Sequence, residues 1–212
     1  EETDLNTDGP DIPQKYLKKL LAKIDAAKAG DILCLSGSVP NCIPQTFYAT
    51  LARQCKARGV GVVIDAVGDL LKETLQYEPF LIKPNREELA QTTGMPCDTI
   101  EQVVTAAREL QNLGAKNVLV SLGGDGAVLL PSNGDAMFCS VPKGTAVNTV
   151  AAGDSALAGY IHGFLSTGDQ ADALLYAVAA GSSTAFSDWL GNYEQIRSFV
   201  EELRENGNLK RL

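Results

Sequence analysis

Between residues 31 and 141 short apolar runs alternate with stretches of helical spacing, and this alternation constrains the fold more than any other feature of the chain. Residues 31–36 (DILCLS), 61–65 (GVVID), 80–83 (FLIK) and 117–121 (NVLVS) read as buried strands, each short, aliphatic and bounded by turn residues. Helical patterns separate them. After Pro13, the residues Tyr16, Leu17, Leu20, Leu21 and Ile24 recur on one face and Gly30 is expected to close that helix. Further helices are expected from about Gln45 to Arg58, around Leu70 to Leu75, and from about Thr99 to Leu113. Such alternation implies right-handed crossovers and a mostly parallel sheet, hence an α/β fold. The GGDG run at 123–126 turns the chain into residues 127–130, and Asn133-Gly134 turns it back through 136–141, which adds antiparallel strands. Three helices follow, beginning near Gly153, Gln170 and Asn192.

Composition narrows the class. The 212 residues, 45% hydrophobic and 21% charged, suit one globular α/β domain with its own core. A net charge of -8 argues against a nucleic-acid or anionic-membrane surface, so a phosphate site must be local, built from backbone amides and a few cations. The five cysteines (Cys34, Cys42, Cys55, Cys97, Cys139) are odd in number and form no C-x-x-C pair, which points to reduced thiols in a cytoplasm rather than to disulfides or zinc. No signal peptide and no apolar span of about 20 residues is seen, and a soluble cytoplasmic protein is expected.

In sheets of this class ligands bind beyond the carboxyl ends of the strands. That directs attention to Ser36-Gly37-Ser38, to residues 65–68, to residues 83–88 and to the loop after residue 121. Residues 147–163 (VNTVAAGDSALAGYIHG) pass from a polar turn through Ala151-Ala152-Gly153-Asp154 into a small-residue helix. The first amides of a helix lack partners and its dipole favours anions, so a phosphoryl group can sit there with Asp154 facing the attacking group. The alternative is that Asp154 caps or charge-complements a core helix. The glycine run 123–126 is neither a P-loop nor a dinucleotide fingerprint, and a tight hairpin with Asp125 as a turn residue also explains it. In Lys83-Pro84-Asn85-Arg86-Glu87-Glu88, Asn85 and Glu88 have the spacing of a capping box. They could equally hold hydrated Mg2+ near nucleotide phosphates, with Lys83 supplying charge. His162, the only histidine, is turned about 80° from Asp154 and lies about 12 Å further along the helix, which suits packing rather than catalysis.

Together SGSVP at 36–40, IKPNREEL at 82–89, VSLGGDGA at 120–127 and NTVAAGDSALAG at 148–159 resemble the ribokinase-like carbohydrate kinases, the PfkB family, in order and spacing. The NTV wording, the KPNREE block and the SGS-x-P loop resemble its phosphosugar branch of 1-phosphofructokinases and tagatose-6-phosphate kinases. The resemblance implies a three-layer α/β/α fold with a mostly parallel sheet, some antiparallel strands and a lid. It implies Asp154 as catalytic base, with the amides of Ala152, Gly153 and Asp154, on the turn begun by Ala151, as an anion hole. Ser121, Gly123, Gly124, Asp125 and Gly126 would line the ATP site with Lys83 and Asn85, and Gly181 would lie near the adenine. Asn85 and Glu88 would serve Mg2+, and Ser36, Gly37 and Ser38 the sugar phosphate.

The implied reaction is ATP-dependent phosphorylation of a ketohexose phosphate, fructose 1-phosphate first. The alternatives are tagatose 6-phosphate, or a nucleotide-binding fragment with little or no turnover. Family members dimerise through the lid, so the resemblance admits a homodimer. Three departures stand out. Ala151 replaces the usual glycine; Asn148 stands where many members have a cation-binding Asp; and the amino-terminal third of the family pattern is missing. Residues 1–12 resemble the last edge of the lid, and 13–212 the carboxyl-terminal two thirds of the kinase domain. Lys83, Arg86 and Lys143 are then the candidate cations for a sugar phosphate.

Overall fold

A computed structural model describes residues 9–212; most of the expected lid edge, residues 1–8, lies outside the described residues. These residues form two compact units, one of residues up to Ile82 with Asn112–Lys116, the other of Lys83–Gln111 with Asn117–Leu212.

In the first unit β1 (Ile32–Ser36), β2 (Gly61–Asp65) and β3 (Leu81–Ile82) pair in parallel, Ile32 facing Gly61 and Val63 facing Leu81. Parallel neighbours need a crossover, supplied by α2 (Phe47–Arg58) between β1 and β2 and by α3 (Gly68–Leu75) between β2 and β3. The apolar side chains of these elements make the core: Leu51 and Cys55 of α2, Val63 and Ile64 of β2, and Leu71 and Leu75 of α3 are all buried. Gly59 ends α2 in the left-handed conformation, φ 71°, its amide bonding back to the last turn.

The first helix, α1 (Gln14–Asp25), stops earlier than Gly30. Asp31 takes the Lys28 amide at 2.7 Å, so a side chain competes for a backbone donor that a longer helix would use. The guanidinium of Arg58 then satisfies the carbonyls of Asp25 and Ile24 at 2.7 and 2.9 Å, a cation at a helix carboxyl end.

The second unit holds α4 (Arg86–Thr93), α5 (Ile100–Asn112) and a meander of β4 (Asn117–Ser121), β5 (Ala127–Leu130), β6 (Met137–Cys139) and β7 (Leu209–Arg211). Successive strands of the meander are antiparallel, Ser121 facing Ala127, Ala127 facing Cys139 and Cys139 facing Leu209. Asn85 and Ser121 form a parallel bridge beside them. Strand β7 has no counterpart among the sequence expectations: its residues are half-buried or exposed and carry no apolar alternation.

Between β6 and β7 run α6 (Ala152–Thr167), α7 (Gln170–Ala185) and α8 (Tyr193–Glu205). α6 and α7 approach closely because their facing residues are small. A Cβ on Gly159 would collide with the Tyr176 carbonyl, and one on Gly163 would stand 2.9 Å from the Ala173 Cα. The hydroxyl of buried Tyr160 donates to Gln170 Oε1 at 2.6 Å across this contact.

Candidate active site

The turn into α6 is built by local hydrogen bonds. Asn148 Oδ1 accepts the Val150 amide at 3.0 Å, and Ala151 takes the left-handed conformation at φ 61°, ψ 7°. A non-glycine residue there costs about 1–2 kcal/mol, so the position that carries glycine in the resembling family is strained with alanine. The Ala152 amide is engaged by the Thr149 carbonyl at 3.1 Å, and the Ser155 amide bonds Ala151 at 2.9 Å. Gly153 and Asp154 are left with amides that have no hydrogen-bond partner among the described residues. Of the three amides expected to meet an anion, that of Ala152 instead closes the turn onto Thr149, and those of Gly153 and Asp154 stay open.

Lys83, just after β3, is 7% exposed and reaches this turn: its Nζ is 3.1 Å from where a Cβ on Gly153 would stand. An ammonium beside the amino end of a helix, itself worth about half a positive charge, makes a point where an anion is favoured and a cation is not. The carboxylate of Asp154 is exposed on the same first turn.

Lys83, Ala152 and Gly153 border a cavity of about 330 Å3 whose lining lies wholly in the second unit, while Ala151 and Asp154 flank them in the chain and are not among the lining residues. Lys83, Asn85, Ser121, Thr149 and Ser182 are the polar residues of its lining, and Gly123, Gly124 and Gly126 contribute bare backbone. Gly126 has φ 115°, and a Cβ there would collide with the Cys139 carbonyl, so the turn passes against β6 only as glycine. Gly181 of α7 also lines the cavity, where a Cβ would stand 3.2 Å from the Ala152 carbonyl. Apolar walls come from Val141, Val178, Ala185 and Phe186. The Phe186 ring lies against Gly144, where a Cβ would overlap it, and meets Phe199 edge-on at 5.9 Å.

The structure therefore brings together Lys83, Asn85, Ser121, Gly123, Gly124, Gly126, Ala152, Gly153 and Gly181 around one cavity. Asp125, expected in the same lining, instead directs its carboxylate to Arg86, Oδ2 to Nη2 3.0 Å, and its side chain is 72% exposed. Asn85 and Glu88 form the full capping box of α4. The Glu88 amide bonds Asn85 Oδ1 at 2.8 Å, and the Asn85 amide bonds Glu88 Oε2 at 2.8 Å. The other Glu88 oxygen has no hydrogen bond among the described residues, where no cluster of three or more His, Cys, Asp or Glu side chains could enclose a metal. Ser36, Gly37 and Ser38 lie in the first unit at the carboxyl end of β1. There the Tyr48 hydroxyl donates to the carbonyls of Ser36 and Gly37 at 2.8 and 3.3 Å. Burial, and then Cys34 and Asp65 nearby, push that phenol above its ordinary pKa. His162 packs edge-on against Tyr176 and Tyr193, at 5.1 and 6.0 Å, as a packing residue should.

Sequence reasoning did not single out Thr149, Ser182 or Phe186, which also line the cavity. The available signal was the i, i+4 repeat Ala177, Gly181, Ala185 and Val178, Ser182, which sets two rows of α7 on one face.

The chain is 37% identical over 204 residues to the 1-phosphofructokinase of Bacillus subtilis (strain 168), covering 96% of this chain and 67% of that protein. It is 33% identical to the D-tagatose-1-phosphate kinase of Klebsiella oxytoca, again over 96% of this chain and 67% of that protein. The structure of Arabidopsis thaliana ribokinase complexed with ribose and ATP superimposes with a TM-score of 0.70 at 27% identity, over 80% of this chain and 55% of that one. The chain thus spans about two thirds of the length of the curated relatives it matches, and less of the ribokinase. The fold is ribokinase-like. The sequence pattern of the pfkB family carbohydrate kinases matches residues 1–188, and the chain belongs to that family.

Proposed function

We propose that this chain is the nucleotide-binding and catalytic portion of an ATP-dependent kinase that phosphorylates a ketohexose phosphate, fructose 1-phosphate before others, to the bisphosphate. One observation carries the reading: the Lys83 ammonium and the two unpartnered amides of Gly153 and Asp154 converge beside a cavity, with a carboxylate on the same turn. Two amides and a cation suit the charge that builds on a transferring phosphoryl group. Asp154 takes the proton from the sugar hydroxyl as it attacks. The glycine turn at 123–126, Ser121 and Gly181 hold the nucleotide. Asn85 and the second carboxylate oxygen of Glu88 would hold its hydrated Mg2+, which when bound neutralises phosphate charge. The capping box fixes both side chains in place and leaves the second Glu88 oxygen for this role. Ser36, Gly37 and Ser38 carry the proposed sugar-phosphate contacts. The odd count of five cysteines with no C-x-x-C pair supports placing it in a reducing cytoplasm.

The runner-up acceptor is a tagatose phosphate. The relatives named for it act by name on the 1-phosphate rather than the 6-phosphate, so tagatose 1-phosphate replaces tagatose 6-phosphate as that alternative. Fructose and tagatose differ only at C4, and both candidates are then ketohexose 1-phosphates.

The test is Asp154→Asn, assayed with fructose 1-phosphate and MgATP. Loss of the base should lower turnover by about 10²-fold or more while ATP binding persists. Turnover within about tenfold of the parent would overturn the assignment of the base. ATP binding without turnover in the parent chain would favour a nucleotide-binding portion that needs further residues for catalysis.

A further inference from the structure

One arginine joins two motifs of the cavity without lining it. Arg86 opens α4, and its guanidinium spans two acceptors: Nη1 bonds the Asp98 carbonyl at 3.1 Å and Nη2 bonds Asp125 Oδ2 at 3.0 Å. Asp125 ends the short 3-10 turn Gly123–Asp125, whose glycines face the cavity. The outer side of that turn is open. A Cβ on Gly123 or Gly124 would meet nothing within 4 Å. Its own backbone bonds are Leu122 to Gly126 at 2.9 Å, Asp125 to Leu122 at 3.2 Å and Gly126 to Gly123 at 3.2 Å. Asp125 also sets a negative charge next to glycines that, on the kinase reading, face a polyphosphate.

We propose that Arg86 is a positioning residue for nucleotide binding: it anchors the glycine turn through Asp125 and cancels the charge of that carboxylate beside the phosphates. The anchor is rigid because α4 starts in a closed capping box immediately beside Arg86 and because the guanidinium is held at a second point by Asp98. A planar fork reaches the two acceptors with two separate nitrogens, whereas a lysine offers a single nitrogen for both. An exposed ion pair contributes little to global stability, so its loss should appear in affinity for the anionic ligand rather than in unfolding. This inference rests on the kinase reading of the cavity.

The experiment measures ATP binding by calorimetry, with thermal unfolding alongside, for the 212-residue chain and its Arg86→Ala, Arg86→Lys, Asp125→Ala and Arg86→Ala/Asp125→Ala variants. Arg86→Ala should weaken ATP binding about fivefold or more with little change in the unfolding temperature, and Arg86→Lys should fall between it and the parent. The double variant should bind no more weakly than Arg86→Ala, because the residues act as one pair and the uncompensated carboxylate is gone. Where turnover is measurable, KM for ATP rises and kcat stays close to the parent value. If Arg86→Ala unfolds, the Arg86→Lys and Asp125→Ala affinities decide: both equal to the parent overturns the inference. A parent that binds ATP no more tightly than folded Arg86→Ala, or a double variant whose losses simply add, overturns this inference alone. A parent that binds no ATP overturns the kinase reading and this inference together.

Discussion

The Nζ of Lys83 lies 3.1 Å from the point where Gly153 would carry a Cβ. Gly153→Ala therefore separates binding from stability. Alanine is the better helix former by about 1 kcal/mol, and Gly153 does not need a positive φ, so α6 should hold or gain stability. The new methyl crowds the buried ammonium away from the two amides. ATP affinity measured by calorimetry should fall about tenfold, and an unchanged affinity would remove Lys83 from the anion site.

Ala151 gives the converse prediction. Its left-handed backbone is strained as alanine, and glycine relieves that strain at the expense of a more flexible unfolded chain. Ala151→Gly should raise stability in urea unfolding by about 0.5–1 kcal/mol. A loss of stability would mean that the methyl makes contacts worth more than the strain.

Tyr160→Phe tests the α6–α7 contact. The phenol donates at 2.6 Å to Gln170 in a part-buried setting, and deleting it leaves an acceptor without its donor. The expected loss in urea unfolding is about 1–3 kcal/mol. Burial raises the pKa of this phenol above the ordinary 10.0, so its share of stability is complete below that value and fades as pH rises past it. The Phe variant should therefore destabilise less at strongly alkaline pH than at neutrality.

The cysteines divide by position. Cys34 and Cys42 are exposed, whereas Cys55, Cys97 and Cys139 are buried. Burial raises the pKa of each of the last three thiols, and pushes Cys139 up to about 12. Alkylation of the native protein at neutral pH, read by peptide mass, should mark Cys34 and Cys42 well before the others. The folded state keeps the Cys139 proton up to about 12 while the unfolded chain releases it near 9.0. Stability should fall as pH rises through that window, and Cys139→Ala should flatten the fall.

How far these features can be read in the sequence depends on whether their cause is local. Strands β2, β4 and β5 begin and end at the expected residues, because unbroken aliphatic runs flanked by Gly, Asp or Ser leave few other solutions. β7 escaped notice because Leu209, Lys210 and Arg211 become a strand only through pairing with β6. The early end of α1 comes from Asp31 and from Arg58, the latter 33 residues beyond Asp25, and apolar spacing registers neither. At the site, the glycines and the Ala151–Asp154 turn were legible because backbone conformation demands them. The direction of Asp125 was not, since its partner Arg86 is 39 residues away and a turn residue's loop position does not say where its carboxylate points.

The single carbonyl of Ala185 accepts the amides of both Val147 and Asn148, at 2.7 and 3.2 Å, while Asn148 Nδ2 reaches the Asp188 carbonyl at 3.3 Å. Three residues later comes the strained Ala151 and then the amides of the anion site. The segment leading into the Ala151–Asp154 turn is thus moored to the far end of α7, the helix that also walls the cavity. Ala185 therefore has two duties, lining the cavity and holding through its carbonyl the segment that leads into the Gly153 and Asp154 amides.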